Sequence, residues 1–389
     1  MGAGSGAPSM PAALSVPFAA LRDRFGALRA RITARAGFRA WATRFPLTRP
    51  IARKNAAALF DLCAGFVYSQ VLGACLQLQL FDLLRAGPMS ADALATRLGL
   101  SIDAASRLLD AAAALDLLAR RADGQYALGG LGAALVDNPG IAAMVGHHGL
   151  FYDDLRDPVA LLRRGHGESL SRYWAYAGSA PGDAAAEGQS GAYSALMGAS
   201  QPMVAAEVCA AYRFSRHRRV LDVGGGDGSF LRAVAAQAPR TAVTLFDLPD
   251  VAARARARFA EAGLGGRAEA VGGDFRSDAL PRGADLVTLV RVLHDHDDQV
   301  VRDLLRRVYE ALPPGGHVLV AEPMAGAKGA DHMASAYLGF YLLAMGQGRP
   351  RRAEELSAML REAGFAEPRL VRTALPLVTS VLVAGVPSR

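Results

Sequence analysis

The stretch Val220-Leu-Asp-Val-Gly-Gly-Gly-Asp-Gly-Ser-Phe230 has the residue types of a ligand loop: an apolar run carrying Asp222, then Gly224-x-Gly226-x-Gly228, then a helix start with Ser229 as its N-cap. Glycines at a strand-to-helix turn let backbone amides approach a ligand. An acid at the tip of the following strand, here Asp247 in Thr244-Leu-Phe-Asp-Leu248, accepts from ribose hydroxyls. The spacing is one residue shorter than the dinucleotide fingerprint, so a pyrophosphate seat is the weaker reading. Adenosyl cofactors without phosphate, above all S-adenosylmethionine, suit the tighter loop. Asp222 either faces such a ligand or caps the loop's own amides, and the other role for Asp247 is to cap the helix from Val251 onward.

Further along, Gly272-Gly-Asp-Phe275 ends a third strand where an adenine would lie, Asp274 accepting from the exocyclic amine and Phe275 stacking on the ring. An ordinary turn with Phe275 in the core is the plainer account. Arg291-Val-Leu-His-Asp-His-Asp-Asp298 closes a fourth strand, and His294 is its first polar side chain after Val292 and Leu293, placed as a general base. His296 should point elsewhere, into solvent. A metal site is not expected, because Asp295, Asp297 and Asp298 read equally as the acidic first turn of a helix running to Glu310. Glu322 ends the fifth strand, where it either orients a histidine or pairs with an arginine. The expected site is therefore His294 and Glu322 for chemistry, with Asp222, Gly224, Gly226, Asp247, Leu248, Asp274, Phe275 and Arg291 around the cofactor. The chain has no Gly-x-Ser-x-Gly, Cys-x-x-Cys or phosphate-binding Gly-Lys-Ser/Thr motif, which argues against elbow hydrolases, redox dithiols and P-loop kinases.

These residues need a scaffold that brings strand ends together. Strand-like runs at 218–224, 242–248, 268–275, 284–293 and 317–323 alternate with helical patterns, as in a parallel sheet covered on both faces. Runs at 368–375 and 380–386 follow each other directly and should form a hairpin at one edge, with one strand reversed. That is an α/β fold, a Rossmann-like class I methyltransferase with a seven-stranded, mostly parallel sheet, and not a nicotinamide dehydrogenase. Before it, Phe60, Cys63, Phe66, Val67, Leu72, Leu76, Leu80 and Leu84 recur at helical intervals. Two short helices, opening at Ser90 and Ser101, and a ribbon about Asp123-Gly124 then make a winged helix. Its second helix sets Asp103, Asp110 and Asp116 against Arg107 alone, a balance that repels phosphates, so nucleic acid is not an expected partner. Its apolar surface suits a dimer interface. The expected division is a basic tail over 1–50, a helical winged-helix dimerisation domain over 51–177, and a cofactor-binding domain over 178–389 entered through a glycine-rich link at 178–191.

The chain has 389 residues, ample for two domains and a tail, with 51% hydrophobic and 20% charged residues and a formal charge of +7. Nearly all the positive charge is arginine, and Arg22, Arg24, Arg29, Arg31, Arg35, Arg39, Arg44 and Arg49 crowd the start. A solvated, poorly ordered tail is expected there, with affinity for a membrane surface as the other reading. The most apolar region, 56–84, is interrupted by Asp61, Ser69, Gln70, Gln77, Gln79 and Asp82, so a spanning segment is not expected. Three scattered cysteines fit a reducing cytoplasm.

At these motifs, together with Leu312-Pro-Pro-Gly-Gly316 and Glu362-Ala-Gly-Phe365, the chain resembles the dimeric O-methyltransferases typified by plant caffeate and flavonoid enzymes. Within that family it is most similar to bacterial carotenoid enzymes, through Ala58-Leu-Phe-Asp-Leu62, Val67-Tyr-Ser-Gln-Val71, His147-His148, Tyr152-Asp-Asp-Leu155, Asp157-Pro-Val159 and Thr288-Leu-Val-Arg-Val292. The resemblance implies a homodimer that moves a methyl group from S-adenosylmethionine to a hydroxyl of a hydroxylated acyclic carotenoid in a spheroidene-type pathway, leaving S-adenosylhomocysteine. A phenolic or polyketide acceptor, and a relative that binds the cofactor without methylating, are the alternatives. It also puts Gly224, Asp247, Asp274 and Phe275 on cofactor positions, His294 on the base and Glu322 on one of its bracing glutamates. Val290 stands where plant members carry a lysine, and Gly348, ahead of Arg349 and Pro350, where they carry a second glutamate. An apolar substrate would need a channel, which the run 336–345 and helices of the first domain could line if they are not simply core. The implied location is the cytoplasm, peripheral at the inner membrane through the basic tail.

Overall fold

The computed structural model describes residues 15–174 and 184–388. Two compact units emerge, one from residues up to 78 and 88–127, the other from 79–87 and 128 onward. In the first, α1 (Ser15–Thr33), α2 (Ala36–Ala42) and α3 (Arg49–Gln77) precede two short helices, Ala91–Leu98 and Ile102–Ala114. Ser90 and Ser101 cap these by accepting from the amides of Ala93 and Ala104, and Gly99 (φ 67°) turns the chain between them. Strands β1 (Leu118–Arg120) and β2 (Tyr126–Leu128) complete the winged helix as a two-stranded ribbon.

From Ser15 the basic segment is not the poorly ordered tail that its charge suggested, since α1 and α2 are regular helices; the remainder of that expectation, residues 1–14, lies outside the described residues. Alanine, leucine and arginine favour helix, and Arg39 closes the C-terminal end of α1 by donating to the carbonyls of Thr33 and Ala34. Among the described helices, α3 is the one long and apolar enough to cross a membrane by length and composition alone. Its side chains Leu59, Phe60, Leu62 and Phe66 are exposed in the single chain.

The second unit holds a seven-stranded sheet in the order β5-β4-β3-β6-β7-β9-β8: β3 (Arg219–Val223), β4 (Ala242–Asp247), β5 (Ala268–Gly272), β6 (Leu286–Val290), β7 (His317–Glu322), β8 (Ala366–Val371) and β9 (Ser380–Gly385). All pairings are parallel except those of β9 with β7 and β8. The central strands are buried on both faces, β6 at every position, as a doubly covered parallel sheet demands. Leu221, Val287, Leu289, Val318 and Val320 pack one face against Val301, Leu304 and Leu305 of the Asp298–Ala311 helix and Leu356 of the Ala353–Glu362 helix. The alternate residues Val220, Val243, Leu245, Leu319 and Ala321 pack the other face against Val204 and Val208, Leu231 and Val234, and Phe259.

The helices between 128 and 174 belong with this sheet unit, although periodicity grouped them with the preceding region. Phe151, Leu161 and Leu170 are buried against Leu338, Leu342 and Met345, a long-range packing that local spacing does not announce. Of the link at 178–191, residues 178–183 lie outside the described residues, and from Ala184 the chain runs as helix to Ala211.

Candidate active site

Strands β3 to β7 end on one edge of the sheet, and the strand order reverses between β3 and β6, where open α/β sheets place their ligands. Gly224, Gly226 and Gly228 all take left-handed φ values of 70°, 61° and 77°, which disfavour any other residue. A Cβ at Gly224 would stand 2.8 Å from Val292 and one at Gly228 2.6 Å from Phe259, whereas one at Gly226 would enter open space. Gly226 therefore faces the crevice, and its neighbours serve packing. The helix cap is Gly228, not Ser229, which is the first helical residue and gives its amide to Asp227.

Asp247 ties the loop to the next strand. Its Oδ2 accepts from the Gly226 amide at 2.8 Å and its Oδ1 from the Leu248 amide at 2.7 Å. The following helix takes no side-chain cap from it, so the carboxylate's spare lone pairs remain for a hydroxyl donor. Burial, only partly offset by those amides, pushes its pKa up to about 6. Asp222 is 1% exposed and pairs with Thr288, its register partner on β6, Oδ1 accepting from Oγ1 at 2.6 Å. Its Oδ2 is buried without a partner, and burial pushes this carboxyl up to about 7. A Cβ at Gly225 would meet that oxygen at 2.6 Å, so the orphan lies beside the loop. A buried acceptor of this kind costs free energy unless a donor arrives, and a ligand's ammonium or hydroxyl would satisfy it.

Asp274 and Phe275 lie beyond β5. Asp274 forms an ion pair with Arg276 (2.8 Å), which holds its carboxyl below the ordinary range against partial burial. Phe275 meets His296 edge-on at 5.2 Å. His296 is thus packed on an aromatic ring and not directed into solvent, because the turn after His294 folds back toward β5, and burial lowers its pKa.

Arg291 leaves β6 in a left-handed conformation, φ 58°, a strain of about 1–2 kcal/mol for a side chain of its kind. Its amide donates to Ala321 on β7 and its guanidinium to Ser200 Oγ at 2.8 Å. After the strained corner and Val292 the chain makes a single helical turn, Leu293–Asp295, in which His294 is buried (5% exposed). Glu322 Oε2 accepts from the His294 amide at 3.1 Å and stands 3.3 Å from Nδ1, while Asp295 Oδ1 stands 3.3 Å from Nε2. Burial works to lower the imidazole pKa and Arg291 adds to that, but Asp295 and Glu322 outweigh both and raise it above 6.5.

The segment where plant relatives place a second glutamate takes another form here. A Cβ at Gly348 (φ 78°) would sit 2.2 Å from the His294 carbonyl, so backbone alone fits. Just beyond it Arg351, 0% exposed, donates to the carbonyls of Leu293 at 2.6 Å and His296 at 2.7 Å and to Asp298 at 2.8 Å. Arg349 holds the same carboxylate at 3.0 Å. Arg351, Thr288 and the contact of Asp295 with Nε2 were not anticipated from sequence. Thr288, a lone polar residue inside an apolar strand, was the one detectable signal.

Among the unit's helices, His147 Nε2 and Tyr341 Oη are 2.9 Å apart, as are His148 Nε2 and Tyr337 Oη. Burial lowers both histidine pKa values, and Tyr337 lies in a π-helical stretch, His332–Leu338, a geometry frequent at functional sites. The run 336–345 therefore mixes core leucines with paired hydroxyls.

A glycine cradle beside two carboxylates, at the switch point of a seven-stranded sheet with one reversed strand, defines a class I methyltransferase. The chain belongs to the O-methyltransferase family: residues 152–366 match its O-methyltransferase domain and residues 60–138 its dimerisation domain. The dimerisation domain supports a homodimer. The chain is 45% identical over 351 residues, 90% of its length and 92% of the relative's, to a demethylspheroidene O-methyltransferase of Cereibacter sphaeroides. It is 42% identical to that of Rhodobacter capsulatus, over 88% of this chain and 85% of the relative. Mouse acetylserotonin O-methyltransferase is 35% identical, over 84% of this chain and 88% of its own. Human N-acetylserotonin methyltransferase, solved in complex with SAM, aligns with a TM-score of 0.70 at 26% identity, covering 86% of this chain and 98% of its own.

Proposed function

We propose that this chain transfers the methyl group of S-adenosylmethionine to a hydroxyl of a hydroxylated acyclic carotenoid, leaving S-adenosylhomocysteine. The observation that carries the reading is the 45% identity, over nine-tenths of both chains, to a demethylspheroidene O-methyltransferase. The cradle fits the cofactor: Asp247 is placed for ribose hydroxyls, the orphan oxygen of Asp222 for a donor on the methionine end, and Asp274 with Phe275 for the adenine. When bound, S-adenosylmethionine supplies a methyl already activated by its sulfonium.

The chain's own task is then to align an oxygen behind that methyl and exclude water. An aliphatic alcohol is a much weaker acid than a phenol, so an imidazole cannot deprotonate it beforehand. His294 receives the hydroxyl proton at Nε2 as the carbon–oxygen bond forms, and Asp295, 3.3 Å from that nitrogen, and Glu322, behind Nδ1, stabilise the imidazolium. Such a polyene dissolves in a bilayer, so the chain works bound peripherally at the cytoplasmic face of the inner membrane.

The test is methyl transfer from isotope-labelled S-adenosylmethionine to single acceptors: hydroxylated acyclic carotenoids, simple phenols and polyketide phenols. Label in the carotenoid supports the reading. Label in phenols with none in carotenoid would replace it with the phenolic alternative, and cofactor binding without any labelled acceptor would point to a non-methylating relative.

A further inference from the structure

We propose that α1 and α2 form an interfacial anchor that docks the chain on the surface of an anionic bilayer; its usefulness rests on the carotenoid reading, but its physics does not. On α1, Leu21, Phe25, Leu28 and Ile32 recur at intervals of four, three and four residues, so they share one face of the helix. Leu21, Phe25 and Leu28 are 51%, 65% and 53% exposed among the described residues. By the same geometry Arg24 and Arg31 fall along one border of this stripe and Arg29 along the other, all exposed. The opposite face of α1 is mostly alanine and glycine, so its two sides are only weakly separated, but an exposed apolar stripe set between arginines, whose stems can snorkel, is able to sit at the headgroup level of an anionic surface.

The segment after α1 continues it. Arg39 fixes the corner by donating to the last carbonyls of α1. Trp41 stacks on Phe45 at 4.8 Å and leans on Phe38 at 5.6 Å, and Trp41 and Leu47 remain exposed. Indole rings favour the headgroup level of bilayers.

Charge decides between a bilayer and a second copy as the occupant. From residue 22 to 53 there are nine arginines and one acid, Asp23, so pairing this surface with itself would bring like charges together. An anionic lipid surface complements it. The bare apolar face of α3 differs: from residue 60 it lies in the family's dimerisation domain, while α1 and α2 precede that domain. In two solved relatives 85–86% of this chain spans 98–99% of theirs, which leaves about a seventh of this chain without a counterpart there.

The experiment is flotation of the full chain with vesicles of phosphatidylcholine alone or mixed with phosphatidylglycerol, at low and high salt, beside light scattering and methyl transfer to a detergent-dispersed carotenoid. Binding is expected only with phosphatidylglycerol and should weaken at high salt. Arg24→Gln, Arg29→Gln, Arg31→Gln and Arg35→Gln together should weaken it at least about a hundredfold, and Phe25→Glu with Leu28→Glu should abolish it. Both variants should stay dimeric and keep their detergent-phase activity. No vesicle binding by the wild type, or unaltered binding by either variant, overturns the anchor, and a shift of Phe25→Glu with Leu28→Glu to monomer assigns the stripe to a second copy instead. Failure to methylate carotenoid with vesicle binding intact would refute the acceptor and leave the anchor standing.

Discussion

The imidazole of His294 stands between two carboxylates, and the proposal that it acts as a base rests on that placement. Glu322 behind Nδ1 fixes the ring, and Asp295 at Nε2 lets a proton be shared and not merely taken. Replacing His294 by Ala should lower kcat by roughly 10² to 10⁴; single-turnover rates measure this, and a loss below about threefold removes His294 from the chemistry. A base acts in its neutral form, so activity should fall as pH drops through a pKa that its neighbours hold above 6.5. Glu322→Gln removes part of that support, so the acid limb of the pH–rate profile should move to lower pH. A limb unmoved by the substitution would mean that Glu322 does not act through the histidine. At this scale His294, Glu322, Asp222 and Asp247 were marked out by the sequence because each is a polar residue at or just past the end of an apolar strand, and the structure brings all four to the same edge of the sheet. Asp295 was not, because its neighbouring acids read as a helix start and only the turn after Arg291 shows which way it points. Nor was His296, whose ring contact with Phe275 arises from two separate strand ends.

Elements place these groups, and the least ordinary is the segment 346–352. Gly348 brings its backbone against the turn that carries His294, and Arg351 then stitches that turn to the start of the Asp298–Ala311 helix. Two carbonyls, the buried one of Leu293 and the part-buried one of His296, depend on one guanidinium, and leaving a buried carbonyl unsatisfied costs about 1–3 kcal/mol. Arg351→Lys keeps the charge but loses the planar fork. We expect it to lower stability by roughly 2–4 kcal/mol in denaturant titrations and kcat more than KM; an unchanged midpoint and unchanged kcat would contradict the clamp. The alternation of strands and helices, the hairpin and the capped helices at Ser90 and Ser101 were visible in local pattern. The clamp was not, because Arg351 lies 58 residues from its partner Leu293 and looks like one more surface arginine in a basic chain. The helices of 128–174 were drawn to the wrong unit for a like reason: an amphipathic pattern reveals a buried face but not what buries it.

As a whole molecule the chain is an O-methyltransferase whose dimerisation domain leaves a broad apolar helix face uncovered in the single chain. Phe60 and Phe66 of α3 are 66% and 71% exposed, more than an isolated helix in water sustains without a partner. Phe60→Glu with Phe66→Glu should convert a dimer to a monomer in light scattering, and a double variant that stays dimeric would put the interface elsewhere. The central claim is that the acceptor is a carotenoid hydroxyl and not a phenol, and a single-tube competition tests it most directly. Enzyme, S-adenosylmethionine, a hydroxylated acyclic carotenoid and a phenol at equal concentration in detergent are incubated together, and mass spectrometry follows both products from the first turnovers. The account predicts that the O-methylated carotenoid forms first and in large excess. Methyl groups appearing in the phenol, with the carotenoid recovered unchanged, would contradict it.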